Sequence, residues 1–239
     1  MNGTIAGRGR RPVRSPWYPR IGLGLLAAIL IGAVISLSIG EGGPKVIRIK
    51  GGDQQQELFG GVRQDGNRLG NPDAPVSISV FNDLQCIPCA AYETDTIDPL
   101  VSEYARGDDV QLEFHHLSFG GAETTLAALA AVAAGNQGRE WQYVDLFFRS
   151  QGIIRSSRVT DEFLNDIANA IPEFNRSEWD DDRGSDAVDA QVQADAKLAD
   201  SLRLPIDAPS VVVSGPRGTK TLEHYPSRAE VDAAVQAVS

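Results

Sequence analysis

At 239 residues the chain has room for one domain with an insertion or for two small ones, and 42% apolar residues suit a globular chain with one membrane segment. The net charge of −10 is uneven: residues 1–39 hold five arginines and no acid, leaving 17 basic against 32 acidic residues elsewhere, a balance that repels phosphate backbones and sets nucleic acid aside as a partner. Two cysteines and three histidines are too few for a disulfide scaffold and make no recognisable four-ligand zinc set.

Residues 1–20 read as a polar, basic tail ending near Trp17-Tyr18. Residues 21–39 carry no charge. At about 1.5 Å per residue such a helix spans about 28 Å, the thickness of a hydrocarbon core. Arginines precede it and acids follow, so the positive-inside rule leaves the tail in the cytoplasm and the rest of the chain outside. A cleaved signal peptide would carry an apolar core of about 7–15 residues and an A-x-A-like site. This run is longer, and its sites at Ser36-Leu37-Ser38 and Ser38-Ile39-Gly40 are weak, so it reads as an uncleaved anchor. Arg10-Arg11 alone does not make a twin-arginine signal. Residues 40–69 are polar, with three glycine pairs, and read as a linker holding a short hairpin turned at Asp65-Gly66.

Residues 76–89 organise everything after that. Val76, Ile78 and Val80 alternate with Ser77 and Ser79, the period of a strand, which ends at Asn82-Asp83. Cys86-Ile87-Pro88-Cys89 follows, and then a helix-prone run begins at Ala90. A C-x-x-C where a strand hands over to a helix N-terminus meets unpaired backbone N–H groups and the positive end of the helix dipole, which favour a thiolate at Cys86. One helical turn on, Cys89 can close a disulfide with it. This is the arrangement of a thiol–disulfide exchange site; a half-site completed by a partner chain and an inert disulfide are the other readings of the pair.

Residues 90–104 read as a helix kinked near Pro99, and residues 110–115 as a second strand ending at His115 and His116. One histidine faces each side of that strand; either one stands near the cysteines and steadies a thiolate, or both are bonded to backbone. Four helical stretches follow. The last is marked by Val188, Val192, Ala196, Ala199 and Leu202, and the third has Thr160 as N-cap. Asp180-Asp181-Asp182 reads as a solvated loop rather than a metal site. A hairpin over residues 210–223 and a helix capped by Ser227 and Glu230 close the chain. The order β, α, β, helices, β, β, α makes an α/β sheet covered by helices.

That order around C-x-x-C resembles the thioredoxin fold with a helical insertion, as in DsbA-like proteins, over residues 70–239 with the insertion at about 121–203. The resemblance includes Gly70-Asn71-Pro72-Asp73-Ala74-Pro75-Val76, Asp83-Leu84-Gln85-Cys86, Gly135-Asn136-Gln137-Gly138 with Trp141, and residues 208–213. It implies that Cys86 and Cys89 are the redox pair and that Ile87 and Pro88 tune it. It also implies that Pro209 is a cis-proline which sets the backbone of Ala208 against Cys86, ready to pair with an extended client segment. Three departures bear on the redox potential. Val80 stands where relatives often carry an acid that helps deprotonate the second cysteine, Ile87-Pro88 lacks the histidine of the strongest oxidants, and Ala208 replaces the usual threonine or valine. The implied activity is extracytoplasmic exchange of the Cys86–Cys89 disulfide with reduced or misoxidised client proteins, in the oxidising direction. A quinone-linked membrane reoxidase would restore the bond, and no cofactor is required. Alternatives are a reductase or isomerase of the same fold fed by a thiol reductant, or a non-enzymatic metal-binding or docking module with a permanent disulfide.

Overall fold

The computed structural model describes residue 49 and residues 52–118, 121–154 and 159–239. The expected span at residues 21–39 lies outside the described residues, among which no helix is long and apolar enough to cross a membrane.

The first element, α1 (Gly52–Phe59), falls in the stretch read as linker. Its sequence is glutamine-rich and too short to show a period, but Leu58 and Phe59 are buried and the Gln55 side-chain amide donates to the Gln142 carbonyl. Docking, not propensity, makes it a helix. The hairpin follows as β1 (Gln64–Asp65) and β2 (Arg68–Gly70), with Gln64 opposite Leu69. Gly66 turns it at φ 58°, where a side chain would be strained.

The alternating residues form β3 (Val76–Asn82), fully buried at Ile78, Val80 and Phe81. After the C-x-x-C, α2 (Cys89–Tyr92) runs through a π segment, Glu93–Ile97, into α3 (Asp98–Tyr104). The expected kink is that π segment. Pro99 has no N–H to give, and widening the preceding turn lets it sit at the start of α3. Strand β4 (Val110–His116) lies parallel to β3, with Val80 beside Phe114 and Phe81 beside His115.

The insertion contains α4 (Ala122–Gly135), α5 (Glu140–Ile154), α6 (Asp161–Ala170), α7 (Arg176–Asp182) and α8 (Asp186–Ser201). Seven of the fourteen residues of α4 are alanine, and most of the helix is buried, because alanine lets neighbouring helices approach on every side. Trp179 reaches it and donates from its indole to the Ala130 carbonyl at 2.7 Å. That contact explains α7: Asn175 caps it, Trp179 anchors it, and Asp180, Asp181 and Asp182 are its last turn rather than a loop. Thr160 caps α6 as expected, accepting from the Phe163 N–H.

Strands β5 (Ser210–Gly215) and β6 (Gly218–Leu222) and α9 (Arg228–Val238) complete the chain, α9 opening on a full capping box between Ser227 and Glu230. The sheet order is β1-β2-β4-β3-β5-β6, antiparallel except for β3 with β4. Val76, Ile78, Val80, Val211 and Val213 share a core with α9 and the α2–α3 unit. On the other face Phe81 and Val212 pack with Leu117, Ala199 and Leu204.

Candidate functional site

The end of β3 delivers the cysteines. Asp83 accepts from the Gln85 N–H at 2.8 Å and its carbonyl accepts from the Cys86 N–H at 3.0 Å, so the chain turns at once toward α2. Pro88 is the N-cap, and the helix begins at Cys89 rather than Ala90. Cys86 and Cys89 are joined as a disulfide with Cα atoms 5.2 Å apart. Cys89 is 1% exposed and sits in the core, while Ile87 beside it is 55% exposed.

Two glutamines tie this loop to the insertion. Gln85 donates to Glu123 at 3.2 Å and accepts from the Thr124 hydroxyl at 3.1 Å, both at the start of α4. Gln151, on α5, donates to the carbonyls of Leu84 and Cys86. Carbonyls at the mouth of the site are thus satisfied without water.

A cavity of about 400 Å³ opens over the disulfide, with Cys86, Pro88, Cys89, Asp207, Ala208 and Pro209 among its lining residues. The loop of residues 205–209 therefore meets the C-x-x-C, although the two are far apart in sequence. The Ala208–Pro209 bond is trans: among the described residues there is no cis peptide bond. Trans is the lower-energy isomer of an X–Pro bond, by about 0.5–1 kcal/mol. A larger groove, about 510 Å³, runs along the other side of α2 and reaches Ile87 but neither sulfur.

Val80 is fully buried in the same core as Cys89. The histidines serve neither of their expected purposes. His115 Nδ1 pairs with Asp195 Oδ1 at 2.9 Å, and His116 Nε2 with Glu140 Oε1 at 3.0 Å; neither ring lines the disulfide cavity. Burial works against the His115 imidazolium, but the hydrogen bond to Asp195 and the Glu113 carboxylate 3.5 Å from Nε2 outweigh burial and push its pKa up to about 9. Asp195 occupies the buried stripe of α8 with Val188, Val192 and Ala199, where the apolar pattern pointed to Ala196.

Behind the redox helix lies a second charge cluster. Arg149 bonds Asp145 at 2.6 Å and also holds Asp98. Glu93, one turn beyond Cys89, is buried beside them; burial first, then the charges of Asp98 and Asp145, push its pKa well up.

Sequence reasoning also missed Tyr225. Its hydroxyl stands 3.6 Å from Cys86 Sγ and 4.0 Å from Cys89 Sγ, and its ring lines the cavity. It lies in the loop between a hairpin and a helix, with no motif around it, and only the topology brings it to the cysteines.

Comparison with known proteins agrees with this geometry. The family model described as thioredoxin matches residues 63–232. A probable disulfide bond formation protein D of Bacillus anthracis is 30% identical over 166 residues, spanning 68% of this chain and 75% of that protein. Oxidised BdbD from Bacillus subtilis superimposes with a TM-score of 0.62 at 21% identity, over 73% of this chain and 95% of its own. A thioredoxin-like oxidoreductase from Silicibacter pomeroyi DSS-3 gives 0.58 at 22%, over 76% and 95%. The superpositions establish the fold with its helical insertion, and the sequence matches carry the family. A closed C-x-x-C at the strand-to-helix junction of that fold places this chain in the DsbA-like, thioredoxin-fold family of protein disulfide oxidoreductases.

Proposed function

We propose that the chain oxidises client proteins outside the cytoplasm while anchored by residues 21–39, with Cys86 as the attacked sulfur. The observation that carries this is the asymmetry of the pair: both line the cavity, but Cys86 is partly exposed whereas Cys89 is buried, packed into the core. A client thiolate attacks Cys86 Sγ, the Cys86–Cys89 bond breaks, and Cys89 leaves with the electron pair and takes a proton. A second client thiolate attacks the client sulfur of the mixed disulfide and releases Cys86 as thiolate. Two client thiols become one disulfide, and the two electrons reside on Cys86 and Cys89 until a membrane reoxidase removes them. Ala208 and Pro209 supply the wall against which an extended client segment lies. The uncharged run after five arginines supports the anchor, and the disulfide-forming relatives support the direction.

The test is a single turnover. The oxidised protein should convert a reduced, unfolded client to its disulfide form in stoichiometric amounts, and Cys86→Ser should abolish this. The equilibrium with glutathione should place the potential above the −270 mV or so of thioredoxin. A lower potential together with brisk insulin reduction would make the protein a reductase. A disulfide that neither client nor glutathione opens would make it a docking module.

A further inference from the structure

Among the described residues, one side chain stands within hydrogen-bonding reach of the two sulfurs, and it comes from neither loop that the motif defines. Tyr225 follows β6, and its hydroxyl lies 3.6 Å from Cys86 Sγ and 4.0 Å from Cys89 Sγ. Three features hold it there. His224 and Tyr225 are consecutive left-handed residues, at φ 59° and 60°, a conformation that side-chain-bearing residues avoid. The Tyr225 N–H donates to the Pro209 carbonyl at 3.2 Å, which ties the residue's backbone to the proline loop. Its ring meets that of Tyr92, on the redox helix, edge to face at 5.7 Å.

The charges around the site make the hydroxyl matter. The cavity is lined by Asp83 and Asp207 and, among the described residues, by no cation. His224 and Glu223, next to Tyr225 in the chain, are exposed and lie 3.9 Å from each other. Tyr92 backs the ring from α2. A Cys86 thiolate thus shares its cavity with two carboxylates and has the phenol O–H of Tyr225 within reach. A disulfide sulfur is a weak acceptor, whereas a thiolate carries a full charge, so the same O–H bond is stronger after exchange than before it.

We propose that Tyr225 is a catalytic hydrogen-bond donor to Cys86, stabilising the thiolate released with the oxidised client and setting its acidity. As the mixed disulfide breaks, the electron pair stays on Cys86 and Tyr225 keeps its proton while donating. This rests on the exchange reading above, and its test is separable from it.

Reduced Tyr225→Phe, which removes only the O–H, is titrated by ultraviolet thiolate absorbance next to the unaltered chain. The midpoint for Cys86 should rise by about one unit, the scale of a hydrogen bond to a charged group. The glutathione equilibrium should shift about tenfold toward the disulfide form. Tyr225→Ala should shift both by the same amount, since the hydroxyl and not the ring is responsible. A Tyr225→Phe protein that titrates like the parent, with only Tyr225→Ala altered, would mean that the ring merely covers the disulfide, and the proposal would fall. Failure of the exchange reading looks different: the unaltered chain would not oxidise a reduced client at all.

Discussion

The redox loop and the charge clusters around it handle charge in opposite ways. His115 lies between Asp195, to which it is hydrogen-bonded, and Glu113, 3.5 Å away, and Arg149 is hydrogen-bonded to both Asp98 and Asp145. Those groups stand in the same place whatever the state of the disulfide, and each cation faces a partner of opposite sign. At the disulfide the sulfurs carry no charge until exchange begins; Asp83 and Asp207 line the same cavity, and the donor that waits beside the sulfurs, the Tyr225 phenol, is neutral. A buried cation would have needed a counter-charge in the oxidised state, when sulfur offers none. The difference teaches that a transient charge is best met by dipoles, which cost little when the charge is absent.

That comparison can be broken in three places. The largest effect should come from Arg149→Met. It leaves Asp98, Asp145 and Glu93 without their cation, and breaking a buried pair from one side costs about 3–5 kcal/mol. Urea unfolding at neutral pH reads it, and a loss below about 1 kcal/mol would mean that the cluster is wet. Next is pH. The folded pKa of His115, pushed up to about 9, lies above the ordinary histidine value of about 6.5. Its contribution is therefore complete below the lower value and is lost as pH rises through the upper one, about 3 kcal/mol in all. Unfolding free energies at pH 6 and pH 9 should differ by that amount in the parent and by much less in Asp195→Asn.

The smallest and most informative change is Val80→Glu. A carboxyl there is buried, so about 1–3 kcal/mol of stability should be lost. The same group can take the proton that Cys89 must give up before attacking a mixed disulfide, whereas burial in apolar surroundings otherwise holds that proton tightly. Release of a trapped client should therefore quicken, most clearly above neutral pH. An unchanged release rate in a folded variant would point to a group already serving Cys89, and Glu93 one turn away is where to look.

What was legible in the sequence was local. The β3 alternation, the C-x-x-C, the caps at Thr160 and Ser227 and the turn at Asp65-Gly66 are each written in neighbouring residues, and their interactions close within a few positions. What was not legible depends on distant partners. Asp195 reads as surface until His115, 80 residues away, is brought to it. Tyr225 reads as a loop residue until the sheet carries it over Cys86, 139 residues back. The aspartates of α7 read as loop because the helix is held by Trp179 from inside. Helix α1 escaped notice because its apolar content is confined to two residues at its end.

The glutamine ties set a rule for transplanting parts of this protein. Gln85 belongs to the motif and Gln151 to the insertion, and each is useful only while its counterpart in the other segment stays in place. A chimera that grafts this C-x-x-C into a relative, or exchanges the helical insertion for another, would inherit half of each tie. The smallest heritable module is thus not the tetrapeptide of the active site but that tetrapeptide together with positions 85, 123, 124 and 151, and recombination that respects those four should keep the loop's shape while everything else in the insertion drifts.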